Sequence, residues 1–153
     1  MPDIVVITDT SCLIVLSKIN ALEVLNKLYK RVVVSKEIAE EFGEFLPDFI
    51  EILEVQNKNY QRILENTLDK GESSAIALAF ELENVLLVLD DLKARKEAQK
   101  MGFKITGTLG ILFMAKEKNI ISSLKDYLNK LQETDFRISE NIIFELLKRS
   151  NEL

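Results

Sequence analysis

Carboxylate side chains that could do chemistry stand at four separated places along this chain. They are Asp9 and the pair Asp90 and Asp91, which follow short apolar runs, and Glu41 and Glu72, which lie in segments with helical patterns. The chain has no histidine and one cysteine, which excludes imidazole bases, Ser-His-Asp triads, Cys-rich zinc sites and internal disulfides. Clustered oxygen ligands without histidine suit Mg²⁺ or Mn²⁺. An enzyme built on this sequence would therefore work through carboxylates, lysines, hydroxyls or a bound metal.

Apolar strands and amphipathic helices alternate in the predicted secondary structure. Strands are expected at residues 4–8, 31–34, 52–55, 85–89 and 103–105. This alternation predicts βαβ units with right-handed crossovers, hence an α/β fold with a parallel sheet and helices on both faces. Ligand sites in such sheets form beyond the carboxyl ends of the strands. We therefore expect Asp9, Asp90 and Asp91 to converge at one edge of the sheet.

Helical geometry predicts which acid of the helix after the second strand points inward. The helix is expected to run to Phe45, and a helix turns by about 100° per residue. Ile38, Phe42 and Phe45 then define its buried stripe. Glu41 falls on the flank of that stripe, whereas Glu40 faces away. Glu41 is therefore the candidate that can reach a site.

Glu72 has a similar position in the next strongly helical segment. Gly71 is expected to break the chain before a helix over residues 72–83. With Ile76 at the centre of the buried face, Glu72 lies on that same face in the first turn. An acid on an apolar face is unusual unless it has a partner.

Each acid also has an ordinary structural interpretation. Aspartate is a residue type that caps helices, so Asp9 and one of the pair Asp90 and Asp91 could be ordinary caps. Glu41 could be a partly exposed helix acid, and Glu72 could interact with the helix dipole. The joint pattern is more specific, because converging acids make a negative pocket that must bind cations or stay partly protonated at neutral pH. Two-metal phosphodiester cleavage uses such a pocket.

The charge distribution offers further candidates. The net charge of −5 argues against a protein that coats nucleic acid non-specifically. Lys93, Arg95 and Lys96 follow the acidic pair and either meet phosphates or form a solvated helix face. Thr108, at a predicted helix start, either brings an N–H group and a hydroxyl to the site or belongs to a capped turn.

Length and hydropathy predict one domain over residues 1–153, with a helical extension at about residues 119–153. No apolar run reaches the ~18 residues that a membrane helix needs, and the N-terminal apolar run is too short for a signal peptide. We expect a cytoplasmic protein without a membrane segment.

The motifs lie at residues 7–14, 34–42, 71–79 and 88–91, with further matches at 94–96 and 107–112. Their order and spacing resemble the PIN-domain ribonucleases, in particular the VapC-like toxins of toxin–antitoxin systems. The resemblance implies a three-layer α/β/α fold with a central parallel sheet and extra C-terminal helices. It also implies Mg²⁺- or Mn²⁺-dependent endoribonuclease activity, with an RNA substrate, a small antitoxin protein and a homodimer as partners.

The resemblance assigns roles to individual residues. Asp9, Glu41, Glu72 and Asp90 match the four acidic positions that bind metal and catalyse, Asp91 is an alternate metal ligand, and Ser11 supports the first acid.

Departures from the toxin pattern keep other interpretations open. Glu72 stands where the toxins usually carry Asp, Val88 where Thr or Ser is usual, and Leu92-Lys93 follows the acidic pair. A second hypothesis is therefore a catalytically degenerate PIN scaffold that binds protein or RNA. A phosphoacceptor domain is disfavoured, because Asp9-Thr10-Ser11 lacks a second Asp two residues after the first.

Overall fold

The computed structural model describes residues 3–153, which form five β-strands and nine α-helices. The strands are β1 (Val5–Thr8), β2 (Arg31–Ser35), β3 (Ile50–Leu53), β4 (Val85–Val88) and β5 (Lys104–Thr106). The helices are α1 (Thr10–Lys18), α2 (Glu23–Leu28), α3 (Lys36–Phe42), α4 (Lys58–Leu64), α5 (Lys70–Ala79), α6 (Leu92–Lys100), α7 (Thr108–Glu117), α8 (Leu124–Gln132) and α9 (Glu140–Arg149). None of these helices is long and apolar enough to pass through a bilayer, a finding that covers residues 3–153.

The sheet is parallel throughout, with strand order β3-β2-β1-β4-β5. From β1 the chain steps outward to β2 and β3, then returns to the other side of β1 for β4 and β5. Right-handed crossovers in opposite directions place their helices on opposite faces. Helix α5 packs across β1, β2 and β4 between α4 and α6, while α2 and α7 pack together. The predicted three-layer α/β/α fold is confirmed.

Burial on both faces explains the sequences of the central strands. Every residue of β1 is buried, and Val33 and Val34 of β2 are fully enclosed, as expected for a parallel sheet covered by two helical layers. Helix α8 adds Leu128 and Leu131 to the same hydrophobic cluster, and α9 adds Leu147. The C-terminal helices thus pack on the body that carries the sheet.

Two predicted helix boundaries were wrong at glycine residues. Helix α3 ends at Phe42 because Gly43 adopts the left-handed conformation, with φ of 70°. Phe45 therefore lies outside the helix and is 93% exposed, not part of a buried stripe. Gly71 does not break the chain but is the second residue of α5, which also ends earlier than predicted.

Candidate metal centre and its two clefts

Asp9 lies at the sheet edge where β1 and β4 end side by side. The chain leaves β1 toward β2, so the space between β1 and β4 is the point at which the strand order reverses, the usual ligand site of such sheets. Asp9 is 4% exposed. Its Oδ1 accepts a hydrogen bond from Cys12 N at 2.8 Å, which caps α1, and its Oδ2 accepts one from Asp90 N at 2.9 Å. Asp9 thus caps a helix and also belongs to the group of acids that follow β1 and β4, here named the acidic edge.

Asp90 is held from the side of β5. Thr108 donates to both of its oxygens, from the backbone N to Oδ1 at 2.8 Å and from the hydroxyl to Oδ2 at 2.6 Å. Gly107 makes room for this arrangement, because a Cβ there would lie 2.8 Å from both Asp90 Oδ1 and Arg95 Nη1. Thr108 therefore meets the acidic edge through an N–H group and a hydroxyl.

Glu72 enters the site from the start of α5. It forms a capping box with Asp69: Glu72 N donates to Asp69 Oδ1 at 2.8 Å, and Asp69 N donates to Glu72 Oε1 at 3.4 Å. Asp91 caps α6 through a bond from Ala94 N at 3.0 Å. The sequence interpretation missed Asp69 because it took Gly71 as a break. An acid three residues before Glu72 was the available signal.

Glu41 reaches the same region from α3. Its side chain is exposed, and its Oε1 would lie 3.3 Å from a Cβ at Gly71, so the missing side chain of Gly71 brings α5 close to α3. Ile38 is fully buried and approaches the same glycine, with its Cγ1 3.6 Å from that Cβ position. Glu40 is exposed as well but lines a different surface hollow.

Five carboxylates line one open cleft of about 440 Å³, here named the acidic cleft: Asp9, Glu41, Asp69, Glu72 and Asp135. Its other walls include Ser11, Lys18, Thr134 and Phe136. Of the predicted acids, Asp90 and Asp91 do not line it. Asp90 contacts it through Asp9, and the charge of Asp91 acts on Glu72.

A second cleft of about 430 Å³, here named the arginine cleft, lies on the side of Asp90. Its walls include Arg95, Gly107, Phe136 and Arg137. Arg95 Nη1 donates to Leu89 O at 3.1 Å, which turns the guanidinium back toward the sheet. Lys93 and Lys96 are exposed on α6 and line neither cleft.

The surroundings of Asp9 and Glu72 in the acidic cleft disfavour the charged form of each side chain. Burial, followed by the charge of Asp90 and then of Glu72, raises the pKa of Asp9 to about 7 despite the bonds from Asp90 N and Cys12 N. Burial, followed by the charges of Asp69 and Asp91, raises the pKa of Glu72 to about 7. A bound cation would relieve the repulsion between carboxylates that have no positive charge paired with them.

The donor set fits a hard divalent ion in type and charge. Every candidate ligand is a carboxylate oxygen, and the hydroxyl of Thr10 at the cleft is buried without a hydrogen-bond partner. Within residues 3–153, however, no three Asp, Glu or Cys side chains are grouped closely enough to hold a metal as they stand. A bound ion would need the exposed side chain of Glu41 to change rotamer toward it.

The fold and this edge define an α/β domain with an acidic cleft at its topological switch point. A family model described as a PIN domain matches residues 5–152, almost the whole chain. The chain therefore belongs to the PIN domain family, as the resemblance predicted, and PIN domains are in general nucleases. Comparisons with curated proteins and with solved structures gave no match.

Proposed function

We propose that this protein is a metal-dependent endoribonuclease. Asp9, Glu41, Glu72 and Asp90 would hold one or two Mg²⁺ or Mn²⁺ ions, and Asp91 is the alternate ligand. The observation that carries the proposal is the meeting of Asp9, Glu41 and Glu72 at one cleft, with Asp90 bonded to Asp9. Family membership supports the same activity.

The protein residues differ in the freedom they have for this work. Asp9 is fixed by two backbone donors and Asp90 by Thr108, so this pair is pre-organised at the sheet edge. Glu41 is exposed and can adjust to a bound ion, and Ser11 lies on the cleft wall near Asp9. A bound ion would supply charge neutralisation at the phosphate and acidify the attacking water.

The cations of α6 divide into two groups as RNA contacts. Arg95 lines the arginine cleft beside Asp90, within reach of a phosphate held at the acidic edge. Lys93 and Lys96 are exposed and attract the RNA backbone only at longer range. On the resemblance alone, we extend the proposal to a cytoplasmic toxin with a small antitoxin protein and a second copy of the chain as partners.

A charge-neutral substitution tests the assignment. Glu41→Gln should lower the rate of RNA cleavage with Mn²⁺ at least about 100-fold, because groups that merely support ligands already cost roughly 10- to 100-fold. Glu40→Gln is the matched control: it removes the same charge from the same helix outside the acidic cleft and should cut like the wild type. Asp9→Asn should also abolish cleavage. Undiminished cleavage by both purified Glu41→Gln and Asp9→Asn variants would refute the proposal.

A degenerate PIN scaffold that binds protein or RNA without cutting is the second candidate. The observation that favours it is the lack, within residues 3–153, of three carboxylates already grouped around one point. Titration calorimetry with Mn²⁺ separates the two. Saturable binding that Asp9→Asn removes supports the enzyme, and no binding by the wild type supports the scaffold.

A further inference from the structure

The connector between α8 and α9, residues 133–139, crosses both clefts. Thr134, Asp135 and Phe136 line the acidic cleft, and Phe136, Arg137 and Ile138 line the arginine cleft. Phe136 belongs to both walls and separates the two spaces. The connector therefore divides the sheet edge into an acidic half and a half that carries arginines.

Local hydrogen bonds fix the position of Phe136. Its backbone N donates to Thr134 Oγ1 at 3.1 Å, and that hydroxyl donates to Leu131 O at the end of α8 at 2.6 Å. Phe136 packs against the hydrophobic core, and its side chain stays partly exposed. The ring is therefore held in place while it still borders both clefts.

The aromatic content of the clefts is concentrated in this one ring. The chain has eight Phe and three Tyr, and of these Phe136 alone lines either cleft in the described part of the chain. Base-to-aromatic stacking tolerates any sequence, because every base has a flat face. A partly exposed ring between an acidic site and two arginines is suited to that contact.

The charges that line the arginine cleft favour an anionic ligand. Two arginines, Arg95 and Arg137, line this cleft with a single carboxylate, Asp90, whose two oxygens already accept hydrogen bonds from Thr108. The cleft thus keeps an excess of positive charge, and its guanidinium groups have the fork geometry that binds phosphate oxygens.

We propose that Phe136 is a positioning residue that separates the two nucleotides flanking the scissile phosphate. The ring stacks on one of the two bases, and the arginine cleft holds the adjoining phosphate. This inference rests on the proposed nuclease function and adds the path of the RNA across the site.

The test measures RNA affinity with Ca²⁺ in place of Mn²⁺, using a fluorescein-labelled RNA dodecamer. Phe136→Leu should weaken binding by about 5- to 150-fold, the range for one lost stacking contact. Phe136→Tyr, which keeps the ring, should bind like the wild type. Phe144→Leu is the matched control, since Phe144 is 53% exposed on α9 and lines neither cleft. Equal affinity of Phe136→Leu and wild type, or a wild type that binds no RNA, overturns the proposal.

A second measurement needs no variant. The cut is first mapped with Mn²⁺, and 2-aminopurine is then placed on each side of the scissile phosphate. Stacking on Phe136 should change the emission of one probe on binding, and unchanged emission from both would contradict the proposal. The two proposals fail separately: a wild type that does not cut with Mn²⁺ refutes the nuclease, whereas the affinities of the Phe136 variants are compared without cleavage.

Discussion

Two carboxylates of this protein are largely withdrawn from water, yet their surroundings have opposite effects. Glu152, near the C-terminal end, has a side chain that is 12% exposed and forms an ion pair with Lys116 at 3.5 Å. It accepts hydrogen bonds from Leu124 N at 2.7 Å and Lys125 N at 3.1 Å, and so caps α8 from outside the helix. Asp9 also accepts two backbone hydrogen bonds. The number of backbone donors is therefore not what separates the two residues.

The balance between burial, hydrogen bonds and the sign of the neighbouring charges separates them. Burial alone would raise the pKa of Glu152, but the bonds from Lys125 N and Leu124 N, with the charge of Lys116, bring it below its ordinary value. Burial, followed by the charges of Asp90 and Glu72, raises the pKa of Asp9 to about 7. The chain neutralises its structural carboxylate with its own lysine. Among the residues that the structure describes, no lysine or arginine forms an ion pair with Asp9 or Glu72, which is why the edge is the candidate site.

The largest stability effect that this comparison predicts is at Glu152. Glu152→Ala should lower the free energy of unfolding by about 1–3 kcal/mol, because it leaves the first N–H groups of α8 without their acceptor. Urea unfolding measures the loss. Glu145→Ala, an exposed change on α9, should stay within about 0.5 kcal/mol of the wild type. A Glu152→Ala protein as stable as the wild type would show that the contacts of Glu152 with α8 and Lys116 contribute nothing to stability, and the contrast with Asp9 would fail.

The second prediction concerns pH. Asp9 and Glu72 have ordinary pKa values of 3.8 and 4.5 and folded values of about 7. Between these limits the folded state binds more protons than the unfolded state, so the metal-free protein should lose stability as pH rises from about 4 to about 7. Glu152 has the opposite sign: its contribution is present above its ordinary pKa of 4.5 and is lost as pH falls below it.

Thermal unfolding with and without Mn²⁺ checks this prediction. Mn²⁺ competes with protons for the carboxylates, so it should raise the unfolding temperature more at about pH 8 than at about pH 5. Asp9→Asn should flatten the metal-free slope and reduce the Mn²⁺ effect. The same Mn²⁺ shift at both pH values would show that these carboxylates are not the binding groups.

The sequence was informative where one rule of local structure dominates. The all-apolar runs before Asp9 and Asp90 predicted buried parallel strands, and parallel strands bring their carboxyl ends to one edge. The predicted helix boundaries were wrong at Gly43 and Gly71. Gly43 ends α3 as a left-handed residue, whereas Gly71 permits close packing inside α5. Chain pattern alone does not distinguish these two uses of glycine.

Contacts between distant segments could not be read from the sequence. The sequence offered an N–H group and a hydroxyl of Thr108 at the site as one of two alternatives, but it did not show that they bind Asp90, a contact that depends on how β5 pairs with β4. Phe136 comes to the site from the connector that follows α8, a helix that packs on α7. Such placements depend on the packing of helices, which periodicity predicts as buried faces without naming the partner.

The smallest expected effect extends the comparison from anions to cations. Lys93→Gln and Lys96→Gln should each change RNA affinity by less than about 2-fold at physiological salt, because both side chains are exposed and line neither cleft. Arg95→Gln should weaken binding further and reduce the salt dependence by one phosphate contact, since Arg95 lines the arginine cleft. Salt titrations of RNA binding by the three variants measure both quantities. If Lys93→Gln or Lys96→Gln weakened binding as much as Arg95→Gln, the RNA would run along the outer face of α6 and not through the cleft.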